Sequence, residues 1–279
     1  MIVTIVGTGL IGGSMAIALK EKKIATKIIG VESDKLHQQQ ALNLKIVDEI
    51  NELDEAIAKS DLIILAVPVD IAKKMITGIL DQVDRQIVID VGSTKEAICV
   101  AASESKNRNR FVASHPMWGT EFSGPQAAVP GAFVDKAVVI CDKENSDADA
   151  LGFTEKMYHT LGMRLIYMGA RPHDVHAAYV SHISHITSFA LANTVLEKER
   201  EEDAIFELAS GGFESTVRLA KSNPAMWVPV FEQNRENVLD VLNEHISQLK
   251  KFKSCLEKEN YGYLTELIEN ANKISRILK

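Results

Sequence analysis

The spacing of apolar residues changes character between the two halves of the chain. In the first half, short β-rich apolar runs alternate with stretches whose apolar residues recur at helical spacing. This alternation is typical of a parallel sheet with crossover helices. The predicted strands are Ile2–Val6, Lys27–Val31, Leu62–Ala66, Gln86–Asp90, Phe111–Ser114, Ala137–Cys141 and Arg164–Met168.

Beyond Gly169 the pattern is helical, and no convincing strand follows from His173 onward. Long helices with extended apolar faces often bury those faces against a second copy of the chain, so we expect this half to dimerise. The predicted helical segments are Val175–Glu197, Ala204–Leu208, Met226–Leu249 and Tyr263–Ile277.

A glycine-rich loop follows the first predicted strand and precedes a predicted helix. The sequence is Gly7-Thr8-Gly9-Leu10-Ile11-Gly12, in the context that a dinucleotide-binding loop requires. The first glycine makes a tight turn, the second lets the backbone approach a pyrophosphate, and the third allows close packing of helix on strand. The helix N-terminus offers free N–H groups to the phosphates. The candidate cofactor-binding residues here are Gly7, Gly9, Leu10, Ile11 and Gly12.

This loop and the alternating pattern together predict the fold class. We expect an α/β Rossmann-type N-terminal domain over residues 1–170. An all-α C-terminal domain that binds substrate and dimerises is expected over residues 171–279.

An acidic residue at the end of the second predicted strand indicates which cofactor binds. A carboxylate at Glu32 would accept hydrogen bonds from both ribose hydroxyls and repel a 2′-phosphate, which favours NAD, although Lys35 nearby could still accept a phosphate. Val67 and Pro68 follow the third predicted strand. Ligands of open α/β sheets bind outside the carboxyl ends of the strands, so this pair should line the nicotinamide side.

Composition and charge exclude several classes of protein. The 279 residues are 46% hydrophobic and 25% charged, with a formal net charge of −7, and no long basic stripe for nucleic acid is present. No apolar run approaches the ~18 residues of a membrane span. The three cysteines lie far apart without metal-ligand spacing, which fits a reducing compartment. We therefore expect a cytoplasmic protein that binds neither nucleic acid nor membranes.

His115 is the candidate general base, because it follows a predicted strand and should face the cofactor crevice. A structural histidine that caps the turn before Pro116 is the alternative. His182 and His185 share one helical face and are better placed to bind substrate than metal, since no third ligand is near. His173 and His176 repeat the spacing and keep a metal open as an alternative, but we expect none.

Four residues of the helical half are interpreted as follows. His173 and Asp174 together are interpreted as a helix-start network at the domain junction. Arg218 offers a planar fork that pairs with carboxylates, with a surface arginine as the alternative. Trp227 stands at a helix start after a proline, and could equally be a core residue.

The chain resembles the prephenate dehydrogenases, tyrosine-pathway enzymes with arogenate dehydrogenases as close relatives. The resemblance covers nearly the whole chain and rests on five motifs in the family's order. These are the glycine loop, Asp90–Lys95, Ser114–Met117 with Gly119–Glu121, Ser181–His185, and Gly211–Phe213 through Arg218 to Trp227.

The resemblance implies NAD-dependent oxidative decarboxylation of prephenate to 4-hydroxyphenylpyruvate, with conversion of arogenate to tyrosine as the alternative. It implies that His115 binds the ring hydroxyl and takes its proton, and that Ser93 positions this histidine, the nicotinamide and the hydroxyl. His185 would bind the pyruvyl side chain beside His182.

The resemblance extends to the rest of the site and to assembly. Arg218 would anchor a substrate carboxylate, and Trp227 would reach the site from its own or the partner subunit. Thr120 and Glu121 would belong to a gate, and the helical domain would form a homodimer. Ser215 stands where some members have an aspartate, so a gating ion pair built on that aspartate is not carried over.

Two other classes of protein are less consistent with these motifs. A hydroxyacid dehydrogenase typically uses a lysine of its helical domain as base, not a histidine such as His115. A catalytically silent NAD-binding regulator has no reason to retain His115, Ser93 and Arg218 together. The chain ends at Lys279, so we expect no regulatory ACT domain and no fused mutase.

Overall fold

The computed structural model describes residues 1–200 and 205–277. Two compact units are present, Met1–Asn234 and Arg235–Lys279. The first unit contains an eight-stranded sheet. Its strands are Ile2–Val6 (β1), Lys27–Val31 (β2), Glu49–Ile50 (β3), Leu62–Leu65 (β4), Ile87–Asp90 (β5), Phe111–Pro116 (β6), Ala137–Cys141 (β7) and Arg164–Met168 (β8).

The order of the strands across the sheet is β3-β2-β1-β4-β5-β6-β7-β8. The first six form the order of a doubly wound dinucleotide-binding sheet, and neighbours among them run parallel. The pair β6 and β7 is antiparallel, with Ala113 opposite Cys141 and Pro116 opposite Val138. As a result, the carboxyl ends of β1, β2, β4, β5 and β6 all lie at one edge of the sheet.

Helices cover both faces of this sheet. Successive residues of β4 enter two different hydrophobic cores: Leu62 and Ile64 join one, Ile63 and Leu65 the other. A strand that is apolar at every position is explained by burial on both faces. The helices of the first unit are Leu10–Glu21 (α1), Lys35–Asn43 (α2), Leu53–Lys59 (α3), Val69–Gln82 (α4), Glu96–Ala102 (α5), Ala148–Thr160 (α6), Ala170–Ala177 (α7), Ile183–Glu199 (α8), Gly211–Val217 (α9) and Pro224–Gln233 (α10).

Every strand predicted from the sequence is present, with small differences at the ends. The prediction missed β3, which is only two residues long, and α5. It also treated the sheet as parallel throughout, whereas β6 and β7 are antiparallel. Local hydrophobic pattern carries no information on strand direction, which explains that difference. The predicted fold class, a Rossmann-type sheet followed by a helical region, is confirmed.

Within 1–200 and 205–277, no strand follows β8. The predicted helix Val175–Glu197 is divided into α7, a π-helical turn at Ala178–His182, and α8. The predicted helix Met226–Leu249 corresponds to α10 and to Arg235–Glu257 (α11), and is followed by Tyr261–Asn272 (α12).

One predicted segment falls partly outside the described residues. Ala204 lies outside them, and Phe206–Leu208 forms a 3-10 turn. None of the described helices combines the length and apolar character that crossing a bilayer would need. The division of the chain at residue 170 stays a prediction.

Candidate active site

The glycine loop joins β1 to α1 and leaves space in front of the helix N-terminus. Gly7 has φ +91°, and a methyl group on it would lie 2.6 Å from the carbonyl oxygen of Ala66. A methyl group on Gly12 would overlap the carbonyl oxygen of Gly7. Gly9 precedes α1 directly, and a methyl group there would meet no atom within 4 Å. The outer glycines are therefore required by the fold, whereas Gly9 faces open space.

Glu32 follows β2 and is hydrogen-bonded to this loop. Its Oε2 accepts hydrogen bonds from the backbone N–H and hydroxyl of Thr8, at 3.0 and 3.1 Å. Its Oε1 accepts from the N–H of Asp34 at 3.1 Å. Val67 lies beside Gly7, and Pro68 precedes the first residue of α4. Because β1, β2 and β4 end at the same edge, the structure brings these predicted cofactor residues together with Leu10 and Ile11, which open α1.

His115 is the next-to-last residue of β6, inside the strand and not after it as predicted. Its Nδ1 lies 2.8 Å from Nε2 of His173, and Nδ1 of His173 lies 2.8 Å from Oδ1 of Asp174. His173 and Asp174 are each only 2% exposed. Desolvation, reinforced by the neighbouring His173, lowers the pKa of His115 well below 6.5. His115 is therefore neutral at neutral pH and able to accept a proton.

Asp174 also holds the start of α5. Its Oδ1 accepts from the N–H of Lys95 at 2.8 Å, and its Oδ2 from the N–H of Glu96 at 2.9 Å. This agrees with the helix-start network predicted for His173 and Asp174, although the helix that Asp174 caps is α5. No local pattern in the sequence indicates that the same pair reaches His115.

The segment after β5 is built around a buried ion pair between Lys95 and Asp90, whose side chains are 0% and 1% exposed. Asp90 also accepts from the N–H of Gly92 at 3.0 Å. Ser93 lies half-buried between these anchors. Among the described residues, the structure shows no hydrogen bond between Ser93 and His115, and the role that the resemblance implies for Ser93 stays a prediction.

His182 closes the π-helical turn and is fully buried. Its Nδ1 lies 3.1 Å from Nδ2 of Asn234, and that amide nitrogen also donates to the carbonyl oxygen of Asp174 at 2.7 Å. Nε2 of His182 is buried and meets no hydrogen-bond partner in the described part of the chain. Burial lowers the pKa of His182 to about 4.

His185 and Trp227 form a stacked pair beside His182. Their ring centroids are 3.5 Å apart, and Nδ1 of His185 lies 3.0 Å from the carbonyl oxygen of Ser181. Trp227 is 6% exposed, and its Nε1 is buried without a partner among residues 1–200 and 205–277. Its ring also meets that of His182 edge-on at 5.9 Å.

Arg218 and Glu121 form an ion pair of 2.9 Å at the exposed side of the site. Desolvation is the main reason why the pKa of His185 is lowered, and the nearby positive charge of Arg218 lowers it further. Thr120 accepts a hydrogen bond from the N–H of Phe122 at 3.3 Å and shapes the loop that carries Glu121.

The structure thus links His115 to His182 through His173, Asp174 and Asn234. The sequence-based prediction missed Asn234 altogether and gave His173 and Asp174 only a structural role. The His-Asp pair at a helix start was the one visible signal, but its link to His115 spans 58 residues and has no local pattern. Chemically, the site offers a neutral base, buried imidazole and indole nitrogens, and a guanidinium that can bind a carboxylate.

Comparisons with known proteins agree with this geometry. The family model for the prephenate dehydrogenase nucleotide-binding domain matches residues 15–167, and the model for the prephenate dehydrogenase dimerization domain matches residues 169–270. The cyclohexadienyl dehydrogenase of Zymomonas mobilis is 27% identical over 280 residues, which cover 99% of this chain and 96% of that protein. The prephenate dehydrogenase of Bacillus subtilis is 28% identical over 273 residues, covering 96% of this chain and 74% of that protein.

Among solved structures, the prephenate dehydrogenase of A. aeolicus in complex with hydroxyphenyl propionate and NAD+ superimposes with a TM-score of 0.89. It is 28% identical in sequence, and the match covers 99% of this chain and 97% of that one. The resemblance seen in the sequence motifs is confirmed, since the two family models together span most of the chain. The chain belongs to the prephenate dehydrogenase family.

Proposed function

We propose that this protein oxidises prephenate with NAD+, releasing CO2 and 4-hydroxyphenylpyruvate. The observation that carries the proposal is the imidazole of His115, which His173 holds at the edge of the sheet where the glycine loop also lies. Burial lowers the pKa of His115 well below 6.5, which suits it to accept a proton. Oxidation of a ring alcohol requires a base at the hydroxyl and a hydride acceptor at the carbon, and this edge can hold both.

The residues at the glycine loop fit a dinucleotide. The open space in front of Gly9 admits a pyrophosphate to the N-terminus of α1, and Glu32 stands where a ribose would present its hydroxyls. Val67 and Pro68 would line the nicotinamide side. A carboxylate at Glu32 disfavours the 2′-phosphate of NADP, so NAD is the proposed cofactor. When bound, it supplies the hydride acceptor.

The protein's own groups would divide the remaining work. His115 accepts the hydroxyl proton as the hydride leaves the carbinol carbon. The ring then loses its quaternary carboxylate as CO2, and aromatisation drives that step. Arg218 binds a substrate carboxylate, and rotation away from Glu121 would free its guanidinium for this purpose. His182, His185 and Trp227 bind the side chain, and Thr120 with Glu121 borders the entrance.

The proposed assembly is a homodimer formed through a helical domain over residues 171–279, with the nucleotide-binding domain over residues 1–170. The boundary between the two matching family models, at residues 167 and 169, supports this division. Leu249 and Leu256 of α11 and Ile268 of α12 are exposed apolar residues that a second copy could cover. The free, buried cysteines suit the cytoplasm.

The test is NADH formation with prephenate and with arogenate, each under NAD+ and NADP+. We expect turnover with prephenate and NAD+, and a fall of at least about a hundredfold in kcat for His115→Asn with little change in KM. Turnover with arogenate alone would make the protein an arogenate dehydrogenase. Activity with neither substrate, or a wild-type rate in His115→Asn, would refute the proposal.

A further inference from the structure

We propose that Asp174 is a positioning residue that determines the tautomers of two histidines. It leaves Nε2 of His115 unprotonated and places a proton on Nε2 of His182. Its consequence for turnover rests on the proposed function. The protonation pattern itself belongs to the free protein and can be measured without substrate.

The side chain of Asp174 controls His115 through His173. A carboxylate only accepts hydrogen bonds, and that of Asp174 already accepts from the N–H groups of Lys95 and Glu96. Nδ1 of His173, 2.8 Å away, must therefore carry a proton. In the neutral imidazole Nε2 of His173 is then bare and accepts from Nδ1 of His115 at 2.8 Å. Nε2 of His115 is left without a proton.

The backbone of Asp174 controls His182 through Asn234. A carbonyl oxygen only accepts, so the atom of Asn234 that lies 2.7 Å from it is the amide nitrogen and not the amide oxygen. The same nitrogen lies 3.1 Å from Nδ1 of His182, and an amide nitrogen can only donate. Nδ1 of His182 therefore accepts, and the single proton of the neutral ring lies on Nε2.

The two outcomes suit two different tasks. A bare Nε2 on His115 can take the hydroxyl proton of the substrate. The N–H at Nε2 of His182 is a buried donor with no partner among the described residues, and it can donate to a carbonyl or carboxylate oxygen of the substrate. Loss of the His173 link should therefore lower kcat, whereas loss of the Asn234 link should raise KM.

The direct test is a two-bond ¹⁵N–¹H correlation spectrum of the full-length, histidine-labelled protein at pH 7.5, which distinguishes the two neutral forms of each ring. His115→Gln and His182→Gln assign the two signals. We expect His115 in the form protonated at Nδ1 and His182 in the form protonated at Nε2. A proton on Nε2 of His115, as a charged His173 would produce, or on Nδ1 of His182 would overturn the proposal.

A matched pair of variants separates positioning from packing at His173. In His173→Gln the terminal oxygen can occupy the place of Nε2 and still accept from His115, whereas His173→Leu fills the space without an acceptor. We expect kcat to fall about a hundredfold or more in the leucine variant, with KM within about threefold, and the glutamine variant to regain at least about tenfold. Equal rates in the two variants would contradict the proposal.

Asn234→Asp tests the second branch. A carboxylate at residue 234 can only accept, so it should move the proton of His182 to Nδ1 and raise KM for the anionic substrate about tenfold or more. An unchanged spectrum of His182 would contradict this branch. If any of these variants fails to fold, the wild-type spectrum still decides the proposal, and because it needs no substrate, its failure is distinguishable from a failure of the proposed activity.

Discussion

The glycine loop allows the requirements of folding and of cofactor binding to be separated by two alanine substitutions. Gly9→Ala adds a methyl group that meets no protein atom within 4 Å, and the backbone at Gly9, with φ −70° and ψ −157°, is open to alanine. Gly12→Ala adds a methyl group that would overlap the carbonyl oxygen of Gly7. We expect the first change to weaken NAD+ binding and the second to destabilise the fold.

The magnitudes follow from local terms. At the N-cap, alanine costs roughly 0.5–1 kcal/mol relative to glycine, and the lower entropy of the unfolded chain offsets about the same amount. Tm of Gly9→Ala should therefore stay within about 3 °C of wild type. Its methyl group keeps the pyrophosphate from the N–H groups of α1, and each lost hydrogen bond to a charged group is worth about 1.5–3 kcal/mol. That is about a tenfold to hundredfold rise in Kd for NAD+.

Gly12→Ala should behave in the opposite way. Overpacking against backbone costs about 3 kcal/mol or more, because the Gly7 carbonyl cannot move without opening the turn. Tm without cofactor should fall by about 6 °C or more. A matched control is Gly78→Ala on the exposed side of α4, where a methyl group also meets nothing within 4 Å. It should stabilise the protein by about 0.5–1 kcal/mol and leave Kd unchanged.

Two measurements decide between these expectations: thermal unfolding by circular dichroism without cofactor, and calorimetric titration with NAD+. Wild-type affinity of Gly9→Ala for NAD+ would contradict the role assigned to Gly9. So would a loss of stability in Gly9→Ala as large as that in Gly12→Ala in the absence of cofactor.

Three further predictions concern charge and protonation. His115 must be neutral to act as a base, and because its pKa is lowered, kcat/KM should be constant at neutral pH and fall only below pH 6.5. A pH–rate profile measures this, and a fall in kcat/KM that begins above pH 7 would contradict it. Arg218→Ala should raise KM for prephenate about tenfold or more with a smaller effect on kcat, whereas Glu121→Gln frees the guanidinium and should not raise KM. An unchanged KM in Arg218→Ala would mean that another residue binds the substrate carboxylate. The pKa of His182 is 6.5 in the unfolded chain and about 4 in the folded protein, so the unfolded state binds more protons between these values and the free energy of unfolding should decrease by up to about 3 kcal/mol as pH falls from 6.5 to 4. Urea unfolding of wild type and of His182→Gln across this range measures the effect, and the same pH dependence in both proteins would exclude it.

The parts of the fold that could be predicted are those specified by neighbouring residues. The strands β1, β2, β7 and β8 have the predicted bounds because each is a short apolar run between polar turns. The glycine loop was equally visible, since its spacing reflects a local turn. By contrast, α5 has no local start signal: Lys95 stands at its N-cap without a side-chain cap, and the cap comes from Asp174, 78 residues after Glu96.

The same distinction applies to the candidate site. Residue types that are unusual for their position, such as His115 before a proline, could be selected from the sequence. What such a residue does depends on which atoms face it, and these come from distant segments. The contact between His115 and His173 joins β6 to α7, and the contact between His182 and Asn234 spans 52 residues. No periodicity or motif spacing encodes either contact.

The sequence-based prediction lacked α5 and gave His173 only a structural role, and both differences have the same cause, the contacts of the Asp174 carboxylate. This carboxylate caps α5, and through Lys95 it anchors the segment that carries Ser93, whose other end is fixed by Asp90. The same carboxylate orients His173 toward His115. The segment that carries Ser93 and the imidazole of His115 therefore share one buried anchor, and a change at Asp174 should displace both.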